Sequence, residues 1–373
     1  MTMKITWPHA LAWRMRRHLL DPVSNLPATD VVGRLCGVQA QVASSAELAV
    51  RVRQTASRSD EVADALASGD LVKTWAMRGT LHLLRPEDAG NYLSLIASGR
   101  TWELPSWQRY FGMTPRHWEI FRPAVQEILD GNVLTREELI AAVTTRPGLD
   151  HVADALRSGW GTLLKPLAFQ GDLVFGPNRG NRVTFMRPDA ASPRWGGVPA
   201  PEVAAPQVIT AYLGAYGPAT AIGFRNWIAR GRIGTRSLKA WFADLGDRLI
   251  EIDLEGEKSY ILAEHVDELA ATKPTDAVRL LAGFDQWVLG PGTADAHVLP
   301  TARRSAVSKQ AGWIAPIVVA GGRVAGTWEL DRNRVAVAWF AESGAPPRKL
   351  LGGEVARLGS ILERKLSFDV VPA

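Results

Sequence analysis

Three short echoes punctuate the chain: SGDLVKTW at 68–75, QGDLVFGP at 170–177 and LGDRLIEI at 245–252. Repetition on this scale implies one structural unit used several times, because each copy must bury the same kind of face. Ahead of each echo, apolar residues recur at helical spacing; behind each come two strand-like runs. In the first copy PHALAWRMRRHLL carries a helical stripe, TDVVGRLCG opens on Thr29 as an N-cap, and SSAELAVRVRQ opens with Ser44-x-x-Glu47, the spacing of a capping box. SDEVADALASG then runs to Gly69, a residue suited to a left-handed helix end. LVKTWAM and TLHLLRP follow as strands turning about Arg78 and Gly79.

The second copy repeats the order. TPRHWEIFRPAVQEIL is followed by TREELIAAVT with Thr135-x-x-Glu138 as a second capping box, a helix around VADALRSGWGTLLKPLAFQ, and strands DLVFGP and NRVTFMRP about Asn178 to Gly180. The third has PEVAAPQVITAYLGAYG, PATAIGFRNWIARG and TRSLKAWFADLG, then strands RLIEIDL and KSYILAE about Glu255 to Glu257. Three helices and a two-stranded hairpin, three times over, is the winged-helix plan, a helix-turn-helix with a β-hairpin wing. The expected architecture is therefore α+β, with winged-helix units at 1–112, 113–190 and 201–270. RPDAASPRWGGVPAPEVAAP, between the second and third, reads as a linker. From 271 to 373 the pattern changes to a C-terminal β-rich region. There AVRLLAGFDQWVLG reads as strand, VVAGGRVAGTWEL is a hairpin about Gly321 and Gly322, and a helix at 353–364 closes the chain.

Winged helices mostly bind duplex DNA, although the same modules serve as protein-binding scaffolds. The formal charge of +5, with 43 Lys and Arg, of which 34 are Arg and 9 Lys, suits a phosphate-bearing partner but equally fits an Ala/Arg-rich composition. No run is long and apolar enough for a membrane span, and Arg14, Arg16, Arg17 and His18 interrupt any secretory h-region, which favours a cytoplasmic, nucleoid-associated protein. A single cysteine, Cys36, excludes an internal disulfide, and the histidines show no metal-ligand spacing, so no metal is expected.

The stretch CGVQAQVASSAEL places Gln39 and Gln41 between a glycine and a helix start. If extended, the two amides share a face. The bland account is a pair of loop amides bonding local backbone or water. The chemical one is an amide pair that positions water and sets its negative dipole ends near a developing cation. Such weak bases suit a reaction whose leaving group is already good, such as loss of a cationic alkylated purine from deoxyribose.

GVQAQVASSAELAVRVR (37–53), LVKTWAMRGTLHLL (71–84), LLAGFDQWVLGPGT (280–293) and QAGWIAPIVVAGGRVAGTWEL (310–330) resemble the winged-helix DNA glycosylases typified by AlkZ and YcaQ, nearly from end to end. That resemblance implies three tandem winged-helix units in a C shape around a basic channel, with a catalytic Q-x-Q or Q-x-D at its centre. Gln39-Ala40-Gln41 has the first form, as in the AlkZ branch. By resemblance the substrate is double-stranded DNA carrying N7-alkylguanine, including interstrand crosslinks of the azinomycin type, cleaved without metal or cofactor; a monomer is expected because no long coiled coil or exposed edge appears. Candidate DNA contacts are Arg51, Arg78 and His82, with Arg303, Arg304 and Lys309 on the loop HVLPTARRSAVSKQAGW; packing is the plainer reading of His82. Asp285 in GFDQW is a second possible water activator, although a cap is its more ordinary role. Trp227 and Trp241 read as core, and Trp13, Trp102 and Trp107 as possible base contacts. A non-enzymatic DNA-binding protein, whether a regulator or a drug-resistance shield, stays open at this point.

Overall fold

The computed structural model describes residues 3–158 and 161–372. The chain forms two compact units, Met1–Glu61 with Ile209–Trp227 and Phe242–Ala373, and Val62–Val208 with Ile228–Trp241. Compaction therefore cuts across the order of the repeats, whose boundaries the sequence sets at 112, 190 and 270.

The Gly-Asp echo has a local cause. Gly69, Gly171 and Gly246 have φ of 73°, 75° and 50°, and each follows a helix, Glu61–Ala67, Leu164–Phe169 and Thr235–Ala243. A left-handed residue ends a helix at little cost only when it lacks a Cβ. The hairpins then form as expected: Val72–Trp75 with Leu81–Leu84, Val174–Arg179 with Arg182–Met186, and Leu249–Leu254 with Glu257–Leu262.

In the first unit, helix Trp7–Arg17 buries Leu11 and Met15 against Trp287, Val298 and Val319. Strand Met3–Ile5, absent from the sequence reading, pairs in parallel with Leu249–Leu254, Met3 opposite Ile252. The C-terminal sheet runs Val278–Leu281, Ile317–Ala320, Arg323–Asp331, Arg334–Trp339 and Ser367–Pro372 in that spatial order, with the last pair parallel. Its hairpin turns at Gly321 and Gly322, φ 55° and 85°. The closing helix is Arg348–Ile361, five residues earlier in its start than the sequence suggests. It lays Leu351, Val355 and Leu358 against Val278, Leu280 and Val318; each such side chain contributes about 1.5–3 kcal/mol by burial. The second half of AVRLLAGFDQWVLG is not strand but helix Gln286–Leu289, because Asp285 caps it by accepting from the Trp287 N–H at 2.8 Å.

Two expected caps are displaced. Helix Ala28–Arg34 begins one residue before Thr29, and the Ala28 N–H is taken by Glu61 Oε1 at 2.7 Å, so a distant carboxylate does the work of a local hydroxyl. Helix Ala43–Arg51 begins after Val42 with no side-chain cap, which puts Ser44 inside the first turn and frees Glu47 for Arg51 at 3.0 Å. The Thr135/Glu138 box forms as read, with both reciprocal bonds present.

In the second unit the strand order is Leu81–Leu84, Val72–Trp75, Val174–Arg179, Arg182–Met186, Leu134–Thr135. The first two hairpins thus join edge to edge, Lys73 opposite Phe175, over a cluster of Trp75, Phe175 and Phe185. The single helix expected around VADALRSGWGTLLKPLAFQ is instead Ala153–Arg157 and Leu164–Phe169. Gly161, at φ 64°, lies so close to Trp75 that a Cβ there would stand 2.3 Å from the indole; Gly159 and Trp160 fall outside the described residues. The expected linker is packed: a Cβ on Gly90 would meet the Gly197 carbonyl at 1.7 Å, and Arg194 bonds Asp70 at 2.6 Å.

Candidate active site

Helix Ala28–Arg34 stops in a Schellman motif. The Gly37 N–H bonds the Val32 carbonyl at 2.9 Å and the Cys36 N–H bonds that of Gly33 at 3.0 Å, with Cys36 at φ 58° and Gly37 at 102°. Two consecutive left-handed residues turn the chain sharply into the two-residue strand Val38–Gln39. Gln39 is 5% exposed and has a polar partner, whereas Gln41 is exposed on the bend that leads into helix Ala43–Arg51. The extended geometry expected for both ends at Gln39, so the amides differ in environment. One is held in the protein, and its neighbour meets solvent.

No carboxylate lies in the motif. Glu47, the nearest in sequence, is paired to Arg51, whose guanidinium also donates to Ser57 Oγ at 3.2 Å and to the Ile361 carbonyl. At 6% exposure, Arg51 is a strut between helices rather than a free cation. Asp285 is fully buried and bidentate to Arg53 at 2.8 Å on both oxygens, which removes it from any attacking water. Arg53 further donates to the carbonyls of His18 at 3.0 Å and Ala49 at 2.6 Å. Sequence reasoning missed Arg53, because no local signal connects partners 232 positions apart.

Among the other candidates, Arg303 is chelated by Glu342 at 2.8 and 2.9 Å, and that guanidinium holds the Glu342 carboxyl down to about 2. The stretch read as a loop is partly helical, with Arg304 opening helix Arg304–Val307, and Arg304 and Lys309 are exposed. In the second unit, Arg78 takes the left-handed turn position at φ 60°. His82 is wholly buried, its Nδ1 within 2.9 Å of the Thr80 carbonyl, and burial with the Arg78 charge pushes its pKa down to about 3. Neutral and enclosed, it offers no cation to a phosphate. Trp227 and Trp241 are core, as read. Trp13 and Trp102 are also buried, at 0% and 5%, and Trp107 packs on Phe111 and Trp118.

The site therefore offers carboxamide dipoles with no charged base beside them in sequence, and among the described residues no group of three His, Cys, Asp or Glu is placed to hold a metal. Amides can accept a hydrogen bond from water and stabilise adjacent positive charge, but they cannot deprotonate water strongly.

Comparison with known proteins shows which family the chain resembles. Residues 32–361 match the family model of AlkZ-like DNA glycosylases. The chain is 50% identical over 357 residues to an interstrand DNA cross-link repair glycosylase of Streptomyces sahachiroi, covering 95% of this chain and 96% of that one. The solved structure of Streptomyces sahachiroi DNA glycosylase AlkZ superimposes with a TM-score of 0.96 at 49% identity, over 99% of this chain and 100% of that one. On this match, which runs almost from one terminus to the other, the chain belongs to the AlkZ-like DNA glycosylase family.

Proposed function

We propose that the protein hydrolyses the N-glycosidic bond of N7-alkylated guanine in duplex DNA and unhooks interstrand crosslinks; its Streptomyces sahachiroi relative is named an interstrand DNA cross-link repair glycosylase. The carrying observation is Gln39-Ala40-Gln41 itself, one amide anchored in the protein and the other open to solvent. Alkylation at N7 makes the guanine cationic and its bond to deoxyribose labile, so the barrier lies mainly in charge developing on the sugar. A fixed carbonyl dipole lowers that barrier in proportion to its orientation, which an anchored Gln39 supplies. In this reading the Gln41 amide, being exposed, orients the incoming water. Arg304 and Lys309 supply phosphate contacts that fix register without reading sequence. Direct hydrolysis leaves an abasic site with an intact backbone, because no lysine amine is needed as nucleophile.

The test is to incubate the protein with a duplex carrying one N7-methylguanine and with a crosslinked duplex. Free base and alkali-labile sites are expected, without strand breaks before alkali. Wild-type excision by a Gln39→Ala/Gln41→Ala double variant would falsify the assignment.

A further inference from the structure

The segment from Ser308 to Ile314 is a tight turn in the first unit. Ser308 bridges Ile314, the Lys309 N–H bonds the Trp313 carbonyl at 2.8 Å, and the Trp313 N–H bonds the Gln310 carbonyl at 3.2 Å. Its tip places Ala311 and Gly312 in the left-handed region, φ 54° and 75°, which an alanine adopts only against steric cost. The turn ends in Trp313, whose side chain is 51% exposed, whereas Trp13, Trp75, Trp287 and Trp328 are 0–5% exposed. So large an indole is left in water here while the molecule buries comparable ones elsewhere.

Trp313 is exposed without being loose. Its ring rests edge-on against Phe284 at 5.1 Å, and Phe284 is 4% exposed and itself held at φ 61°. The next residue is Asp285, clamped at both oxygens by the buried Arg53. Strained backbone that its surroundings over-determine in this way accumulates at functional sites. Gly283 brings the support close to the glutamines: a Cβ there would stand 2.9 Å from the Ile314 carbonyl and 3.6 Å from Ser45 Oγ. Gly283 therefore lies between the end of the turn and the first turn of helix Ala43–Arg51, which starts two residues after Gln41. The exposed cations Arg304 and Lys309 flank it.

We infer that Trp313 is a positioning wedge whose indole enters the base stack beside the damaged nucleotide and holds its deoxyribose toward Gln41. The inference rests on the glycosylase reading above. An aromatic face stacks on any base, so it needs no sequence. An inserted apolar side chain unstacks and kinks a duplex locally, which suits a crosslinked guanine that is tied to the opposite strand and cannot swing free. Because the indole is already braced, little side-chain freedom is lost on insertion.

The test uses the full-length protein on a duplex with 2-aminopurine next to N7-methylguanine. Binding of the wild type is expected to raise the fluorescence as the probe unstacks. Trp313→Ala should abolish that rise and slow single-turnover excision by roughly 10- to 100-fold at saturating protein, with its thermal midpoint unchanged. Trp313→Phe should restore most of both. A Trp313→Ala variant that excises at the wild-type rate overturns the wedge, and so does one that excises slowly while keeping the full fluorescence rise. Should the wild type release no base yet raise fluorescence in a Trp313-dependent manner, the wedge stands and the catalytic reading falls.

Discussion

Two polar groupings in the first unit are built on opposite terms. Arg53 and Asp285 are full charges with no exposure, and the pair and the surrounding backbone give every side-chain nitrogen and oxygen of both a partner. Gln39 and Gln41 are neutral, and one of them faces solvent. The difference separates what a protein needs for folding from what it needs for chemistry. Buried charge is tolerable only when fully matched, and matching leaves nothing to offer a substrate. An amide is buried at far smaller cost and keeps its dipole available, which is enough where the leaving group already carries charge.

The comparison breaks most visibly at Asp285. Asp285→Ala strands the Arg53 guanidinium in the interior and should lower unfolding free energy by roughly 3–5 kcal/mol in urea titrations. Replacing both partners, Arg53→Met with Asp285→Leu, should recover part of that loss. If Asp285→Ala instead keeps its stability and loses excision, the carboxylate belongs to the chemistry and the contrast is mistaken.

Gln41→Ala should slow excision by ~10- to 1,000-fold with the denaturation midpoint unmoved, because its side chain lies at the surface. Gln39→Ala should lose a similar factor and also about 1–3 kcal/mol of stability, since it removes a buried polar side chain together with the interaction that holds it. Equal midpoints for the two variants would show that burial does not distinguish them.

Acid sharpens the same contrast. His82 is held neutral, its pKa pushed to about 3 from 6.5, and buried His18 is shifted in the same direction. The unfolded chain takes up protons that the folded one refuses, so this stability is complete above about pH 6.5 and drains away as pH falls toward 3. Melting temperatures should fall across that window, less steeply for His82→Phe. Single-turnover excision between pH 6.5 and 8 should stay level, because amides do not titrate; a steep profile would point to an unrecognised acid or base.

The smallest effects lie on the 301–309 loop. Arg304→Ala and Lys309→Ala should each reduce the salt dependence of duplex binding by about one unit of log–log slope. Arg303→Ala should change it less, its guanidinium being chelated by Glu342. Equal slopes for all three would show that the ion pair opens on DNA.

Much of the fold was legible because it rests on neighbours in sequence. The three hairpins, the left-handed glycine at 69 and the Thr135 capping box involve residues only a few positions apart. Errors cluster where a distant group intervenes. Thr29 lost its cap to Glu61, the helix expected around VADALRSGWGTLLKPLAFQ is two, with Gly161 left-handed against Trp75, and Arg51, a plausible contact by type, is enclosed. Trp313 went unnoticed because nothing local distinguishes an indole braced in solvent from one in a core.

By itself the sequence determined the order of helices and hairpins and set two glutamines on a turn ahead of a helix, since periodicity and turn chemistry act over a few residues. The tertiary structure alone decided that Gln39 is anchored and Gln41 open, that Arg53 meets Asp285, and that the first two hairpins join through Lys73 and Phe175. Exposure and long-range pairing depend on which surfaces meet when the chain collapses, and that is a property of the whole packing rather than of any stretch within it.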